Sequence, residues 1–131
     1  MNHFWIYEGR EYAFDISESE CMARVNSALT ELRAALHRKE LSVDNTDDVS
    51  VADTSAAIAG YCKIVRRFFD TVFGEGEGTV ICGEKLSAED HTAAYMEFIL
   101  FMDAQVKAFA RLPDIIGEKY ASRVDNLACN A

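Results

Sequence analysis

Between residues 93 and 112, 15 of 20 residues are apolar, and Pro113 follows directly. Proline lacks the N–H that a helix interior needs and clashes with the preceding turn, so a helix through this segment stops at Leu112. Ser87 is placed to cap its start, which predicts a helix over 87–112. Projected at about 100° per residue, Tyr95, Phe98, Ile99, Met102, Val106 and Phe109 form the main apolar face. Met96 and Phe101 flank that face, and Leu100 falls among the charged residues on the far side. A helix this apolar around its circumference is either central in its fold or touches another chain. Its longest unbroken apolar run, residues 98–102, is far short of the roughly 20 residues a membrane span needs.

The rest of the chain is read around that helix. Residues 3–7 (HFWIY) and 12–16 (YAFDI) are aromatic and β-branched, with Glu8-Gly9-Arg10-Glu11 between them. This predicts a β-hairpin over 1–16. Tyr12, Phe14 and Ile16 share one face by period two, whereas the first strand is apolar on both faces. Ser17 with Glu20 fits a capping box that opens a helix over 17–40. Its apolar seam is Met22, Val25, Leu29, Leu32 and Leu36. Residues 40–53 carry five acids and no base, an acidic connector. A helix over 53–73 places Ile58, Tyr61, Cys62, Val65, Phe68, Phe69 and Val72 on one side, with Lys63, Arg66, Arg67 and Asp70 on the other. Arg66 and Asp70 are spaced to pair at i,i+4. Phe68, Phe69 and Phe73 are expected in the core.

After Phe73 come Gly74, Gly76 and Gly78, then a strand-like Thr79-Val80-Ile81-Cys82. Gly74 is positioned to end the helix in the left-handed region, with Gly76 and Gly78 letting the chain reverse. Asp114 caps a short helix over 114–128 that uses Ile116, Tyr120, Val124 and Leu127. The expected fold is therefore mainly α: three long helices and a short C-terminal helix with an N-terminal β-hairpin. At 131 residues the chain is expected to be one domain, 1–131.

The motifs of common reaction centres fail on spacing. The 74–78 glycines follow a helix, not a strand, and alternate with Glu75 and Glu77, which repel a phosphate. From Asp44, the glycine and glutamate that a calcium loop requires are replaced by Val49 and Ser55. His3, His37 and His91 are scattered without metal-ligand spacing. Cys21, Cys62, Cys82 and Cys129 form no closely spaced pair; their even number leaves two disulfides formally possible, and the favoured reading is reduced, buried thiols of a cytosolic protein. No catalytic residue, metal site or cofactor is expected, so the protein reads as a non-enzyme. The net charge of −9 disfavours nucleic acid and anionic membrane. The start MNHFWIY has neither the basic nor the long apolar region of a secretory leader, and none is expected.

Two stretches carry a family resemblance. FWIYEGREYAFDIS has an aromatic, then Gly, then Tyr-x-Phe-Asp; FFDTVFGEGEGTVICG has Phe-Phe-Asp-x-x-Phe-Gly-x-Gly, then a hydrophobic residue and Gly. The combination resembles small, acidic, mainly helical proteins from tail-gene modules of long-tailed phages and prophages of Gram-positive bacteria, many of them called tail assembly chaperones. Cys82 stands where that pattern carries an aromatic. The resemblance implies a cytoplasmic factor in the bacterial host that binds and solubilises the tape-measure protein and delivers it to tail-tube protein. It also leaves open a homo-oligomer, and, as an alternative function, a structural tail-completion or head–tail joining component of the virion. On this reading Phe4, Trp5 and Tyr7 of the hairpin, with Met96, Leu100 and Phe101, form the protein contact surface. The ionic alternative for the Lys63–Arg66–Arg67 cluster is an acidic surface, such as the 40–53 loop of a second copy.

Overall fold

The structure is a computed structural model that describes residues 3–38 and 50–111. The helix expected over 114–128, most of the acidic connector and Cys129 lie outside the described residues. The described elements run β1 (Phe4–Tyr7), β2 (Arg10–Ala13), α1 (Ser19–Leu36), α2 (Val51–Phe73), α3 (Glu77–Cys82) and α4 (Ala88–Ala110). The mainly helical fold with an N-terminal antiparallel hairpin follows the expectation.

The hairpin is tighter than its sequence suggests. Tyr7 pairs with Arg10, so the loop is Glu8-Gly9 alone. Both residues have positive φ, 49° and 75°, the geometry that matches the twist of a two-residue hairpin. Trp5 lies across from Tyr12 and Phe4 across from Ala13. Trp5, Tyr12, Phe14 and Ile16 are buried, while Phe4 and Ile6 point outward.

The capping box at Ser17 does not form. Asp15 takes that place: its Oδ1 accepts from both the backbone N–H and the hydroxyl of Ser17, and α1 begins at Ser19 without a side-chain cap. Ser50 and Ser87 do cap, accepting from the N–H of Asp53 and Asp90. Along α1, Val25 and Leu32 are buried as expected, joined by Cys21 and Ala28, while Leu36 is exposed.

The central helix is α2, which packs against α1, α3 and α4. It is not the more apolar α4, which uses one side only: His91, Ala94 and Phe98 are buried, while Met96 and Leu100 face out. The expected main face of α4 is inward at Phe98 and half-buried at Tyr95, Ile99 and Met102, but Val106 and Phe109 are exposed. Phe98 is the hub of the interior. Its ring meets Trp5 at 5.2 Å, Phe14 at 5.2 Å, Phe73 at 5.4 Å, Phe68 at 5.8 Å and Phe69 at 5.9 Å, all edge to face. Such ring geometry adds about 0.5–1.5 kcal/mol per pair beyond area burial. Phe68 and Phe69 are fully core, and Phe73 packs against it.

Residues 79–82 belong to α3 and not to a strand. In a strand Ile81 and Cys82 would point to opposite faces, whereas α3 buries both, together with Gly78. Gly76, at φ 87° and ψ −14°, supplies the left-handed entry. Gly74 leaves α2 at φ 127° and ψ 159°, a region open to glycine but outside the left-handed helical one expected. Gly78 is not a turn residue. A Cβ there would overlap the carbonyl oxygen of Arg66 and come within 2.8 Å of its C and Cα, so only glycine lets α3 lie directly on the α2 backbone.

Candidate functional site

Two features compete as the site: a buried polar network between α2, α3 and α4, and the apolar side chains left on the surface.

The network is built on Arg66. Its Nη2 donates to the carbonyl oxygens of Gly83 at 2.7 Å and Glu84 at 3.1 Å, and its Nε donates to His91 Nε2 at 3.0 Å. With Nε2 accepting, the ring proton sits on Nδ1, which donates to the carbonyl of Ser87 at 2.6 Å. Asp70, expected to pair with Arg66, instead accepts the N–H of Gly78 at 2.7 Å. Each of these groups has a structural partner already. Arg66 gathers the carbonyls of the loop between α3 and α4, and Asp70 holds the first turn of α3.

Electrostatics agree with a structural role. Burial is the largest influence on His91, which is 0% exposed, and the Arg66 guanidinium acts in the same direction; together they hold its pKa below the ordinary imidazole value. Burial pushes the Cys82 thiol up to about 12, and raises Cys62. A thiol held protonated is a poor nucleophile and a poor metal ligand. No group of three or more His, Cys, Asp or Glu that could hold a metal occurs among the described residues.

This network predicts acid sensitivity. The unfolded chain takes up a proton at His91 near pH 6.5, while the folded chain resists it, first because the ring is buried and then because the Arg66 guanidinium faces it. Stability contributed here is complete above about pH 6.5 and is lost as pH falls toward the lower folded pKa. Urea midpoints followed through Trp5 emission should fall between pH 7.5 and about 5.5 for the parent, and less for His91→Gln. Equal slopes in the two proteins would contradict the assignment.

The surface is the better candidate. Of the hairpin residues expected there, Phe4 is 48% exposed, but Trp5 is 3% exposed and is core. Its ring stacks on Phe69 at 5.8 Å and on Tyr7 at 5.1 Å, because the parity of β1 set by pairing with Tyr12 turns it inward. Tyr7 is half-buried in the same stack. Phe101 is half-buried, its ring edge against Phe14 at 5.9 Å. Met96 and Leu100 are 49% and 60% exposed. They sit four residues apart on one outward stripe of α4, continued by the Asp103–Lys107 ion pair. Ile6, 62% exposed, shares the outer hairpin face with Phe4. The sequence expectation does not include Ile6, although its period-two spacing from Phe4 is the signal that places it there.

So the residues separate into one core residue (Trp5), two half-buried ones packed against the core (Tyr7, Phe101) and an exposed set (Phe4, Ile6, Met96, Leu100). The exposed set offers apolar contact and no reactive group. Among the described residues no helix is long and apolar enough to cross a membrane. No curated protein and no solved structure matches the chain. One family does: a family of unknown function, DUF6673, whose sequence model matches residues 8–126.

Proposed function

The chain belongs to the family of unknown function DUF6673, and we propose that it works as a binding factor of the tail assembly chaperone kind. In this role it holds the apolar stripes of a long helical client, the tape-measure protein, during phage tail morphogenesis in the bacterial cytoplasm. The observation that carries the reading is the outward stripe of α4, where Met96 and Leu100 stay exposed although the same helix buries Phe98 completely.

The physical logic is of weak, repeated contact. Fully burying one such side chain is worth about 1.5–3 kcal/mol. Met96 and Leu100 are already about half covered, so one copy contributes only part of that. Many copies along one client supply avidity without a tight individual contact. The charge of −9 keeps a crowded complex soluble.

The test is co-expression with the tape-measure protein of the same gene module. Leu100→Asp should leave stability within about 0.5 kcal/mol, as exposed positions do, yet weaken client retention by roughly tenfold or more. Retention equal to the parent would remove α4 as the binding surface. Detection of the protein in purified particles would favour the structural tail component instead.

A further inference from the structure

We propose that the groove between α1 and α2 is a second docking site, which takes a short acidic segment of a partner protein. The site is lined by α1 and α2 alone, so it is distinct from the outward stripe of α4.

It is lined by Arg38 just past the end of α1, by Lys63 and Arg67 of α2, and by the apolar Ala35, Ala56, Gly60 and Ile64. The groove measures about 310 Å3 and runs on past Arg38 and Arg67 into a smaller recess whose one acid is Glu31. Arg38, Lys63 and Arg67 are all exposed. Among the described residues the ion pairs are His3–Asp15 and Lys107–Asp103, so no carboxylate of the described residues lies within 4.0 Å of any of the three.

Arg38 has an ordinary explanation, since a cation is favoured at a helix C-terminus. Lys63 and Arg67 do not: they are four apart in the interior of α2, where like charges repel. A chain of net charge −9 thus places three of its 13 basic residues around one channel, with no ion pair to another described residue. The complement is a segment bearing carboxylates at helical or extended spacing. Arg38 and Arg67 offer planar guanidinium forks for bidentate carboxylate contacts. The small residues Ala35, Ala56 and Gly60 leave room for the segment's backbone beside both helices. A short segment fits better than a long polyanion, because beyond the groove the acidic remainder of the surface repels negative charge.

The test is fluorescence anisotropy with a labelled synthetic peptide of glutamate, serine and alanine, added to the full chain at low salt. Binding is expected, with affinity falling as salt is raised through the range where the Debye length drops below about 8 Å. The pair Lys63→Glu with Arg67→Glu should weaken it at least roughly tenfold, and the neutral pair Lys63→Gln with Arg67→Gln should weaken it less. Trp5 emission reports that both variants are folded. Leu100→Asp should bind the peptide as the parent does, which separates this site from the client surface. The proposal is overturned if the parent does not bind, if the reversed pair binds equally, or if a lysine peptide binds as well. It is equally overturned if sedimentation shows a salt-sensitive dimer, lost in the reversed pair, whose formation excludes the peptide; the occupant is then a second copy.

Discussion

Phe98→Ala should cost about 3–5 kcal/mol of unfolding free energy, the range for removing a buried phenylalanine ring. The upper part of that range is expected. Phe98 is 0% exposed, and its ring touches Trp5, Phe14, Phe68, Phe69 and Phe73 from three separate parts of the chain. Phe98 meets both Trp5 and Phe14 of the hairpin segment, and a two-stranded ribbon, marginal in water on its own, depends on such contacts together with those of Trp5 to Phe69 and Phe73. Trp5 is the only tryptophan and sits against that ring. Its emission should therefore move to longer wavelength in the variant before the helices melt. Urea unfolding read by both fluorescence and far-ultraviolet circular dichroism measures this. Coincident transitions with a loss below about 1 kcal/mol would mean that Phe98 is not the keystone.

Gly78→Ala should cost about 2–3 kcal/mol although it adds a single methyl group. Elsewhere in a helix this exchange is favourable by roughly 1 kcal/mol, so the sign itself is diagnostic. The added carbon meets backbone atoms of Arg66, which cannot rotate away as a side chain would. Moving α3 off α2 then stretches the bond from the Gly78 N–H to Asp70 and loosens the Arg66 contacts to Gly83 and Glu84. Overpacking costs of this size are typical where no side chain can yield. The melting temperature should fall by roughly 10 °C. Gly76→Ala is strained for a different reason, its φ of 87°, with open space around it, and a similar loss there is expected from backbone conformation alone. A rise in melting temperature for Gly78→Ala would mean that α3 is not seated on α2.

Periodicity made the long helices and their inward faces legible. Cys62, Val65, Phe68, Phe69 and Val72 recur at helical spacing, and all are buried. The inner hairpin face was legible through Tyr12, Phe14 and Ile16 for the same reason. What periodicity cannot supply is the extent of a neighbour. Phe109 lies within about 20° of Phe98 around the helix and Val106 within about 20° of Tyr95, yet both are exposed because the core has ended by their level. Nor does it give the parity of a strand apolar on both faces: the pattern groups Trp5 with Phe4, and only pairing with Tyr12 turns it in. The Thr79-Val80-Ile81-Cys82 run has strand composition, and tertiary contact with α2 overrides that preference. Gly78 reads as one more turn glycine because its constraint is a backbone twelve residues away. The Arg66–His91 bond joins residues 25 apart, beyond any local pattern.

The claim at the centre of the account is that a helical client lies on the outward stripe of α4. The chain has four methionines, Met1, Met22, Met96 and Met102, and their methyl groups can be observed separately by carbon-13 NMR. Met22 and Met102 are half-buried against the core, while Met96 is exposed. Titrating a tape-measure segment into the methyl-labelled protein should shift or broaden Met96 first and leave Met22 in place. A client that binds while Met96 stays unmoved would contradict the account.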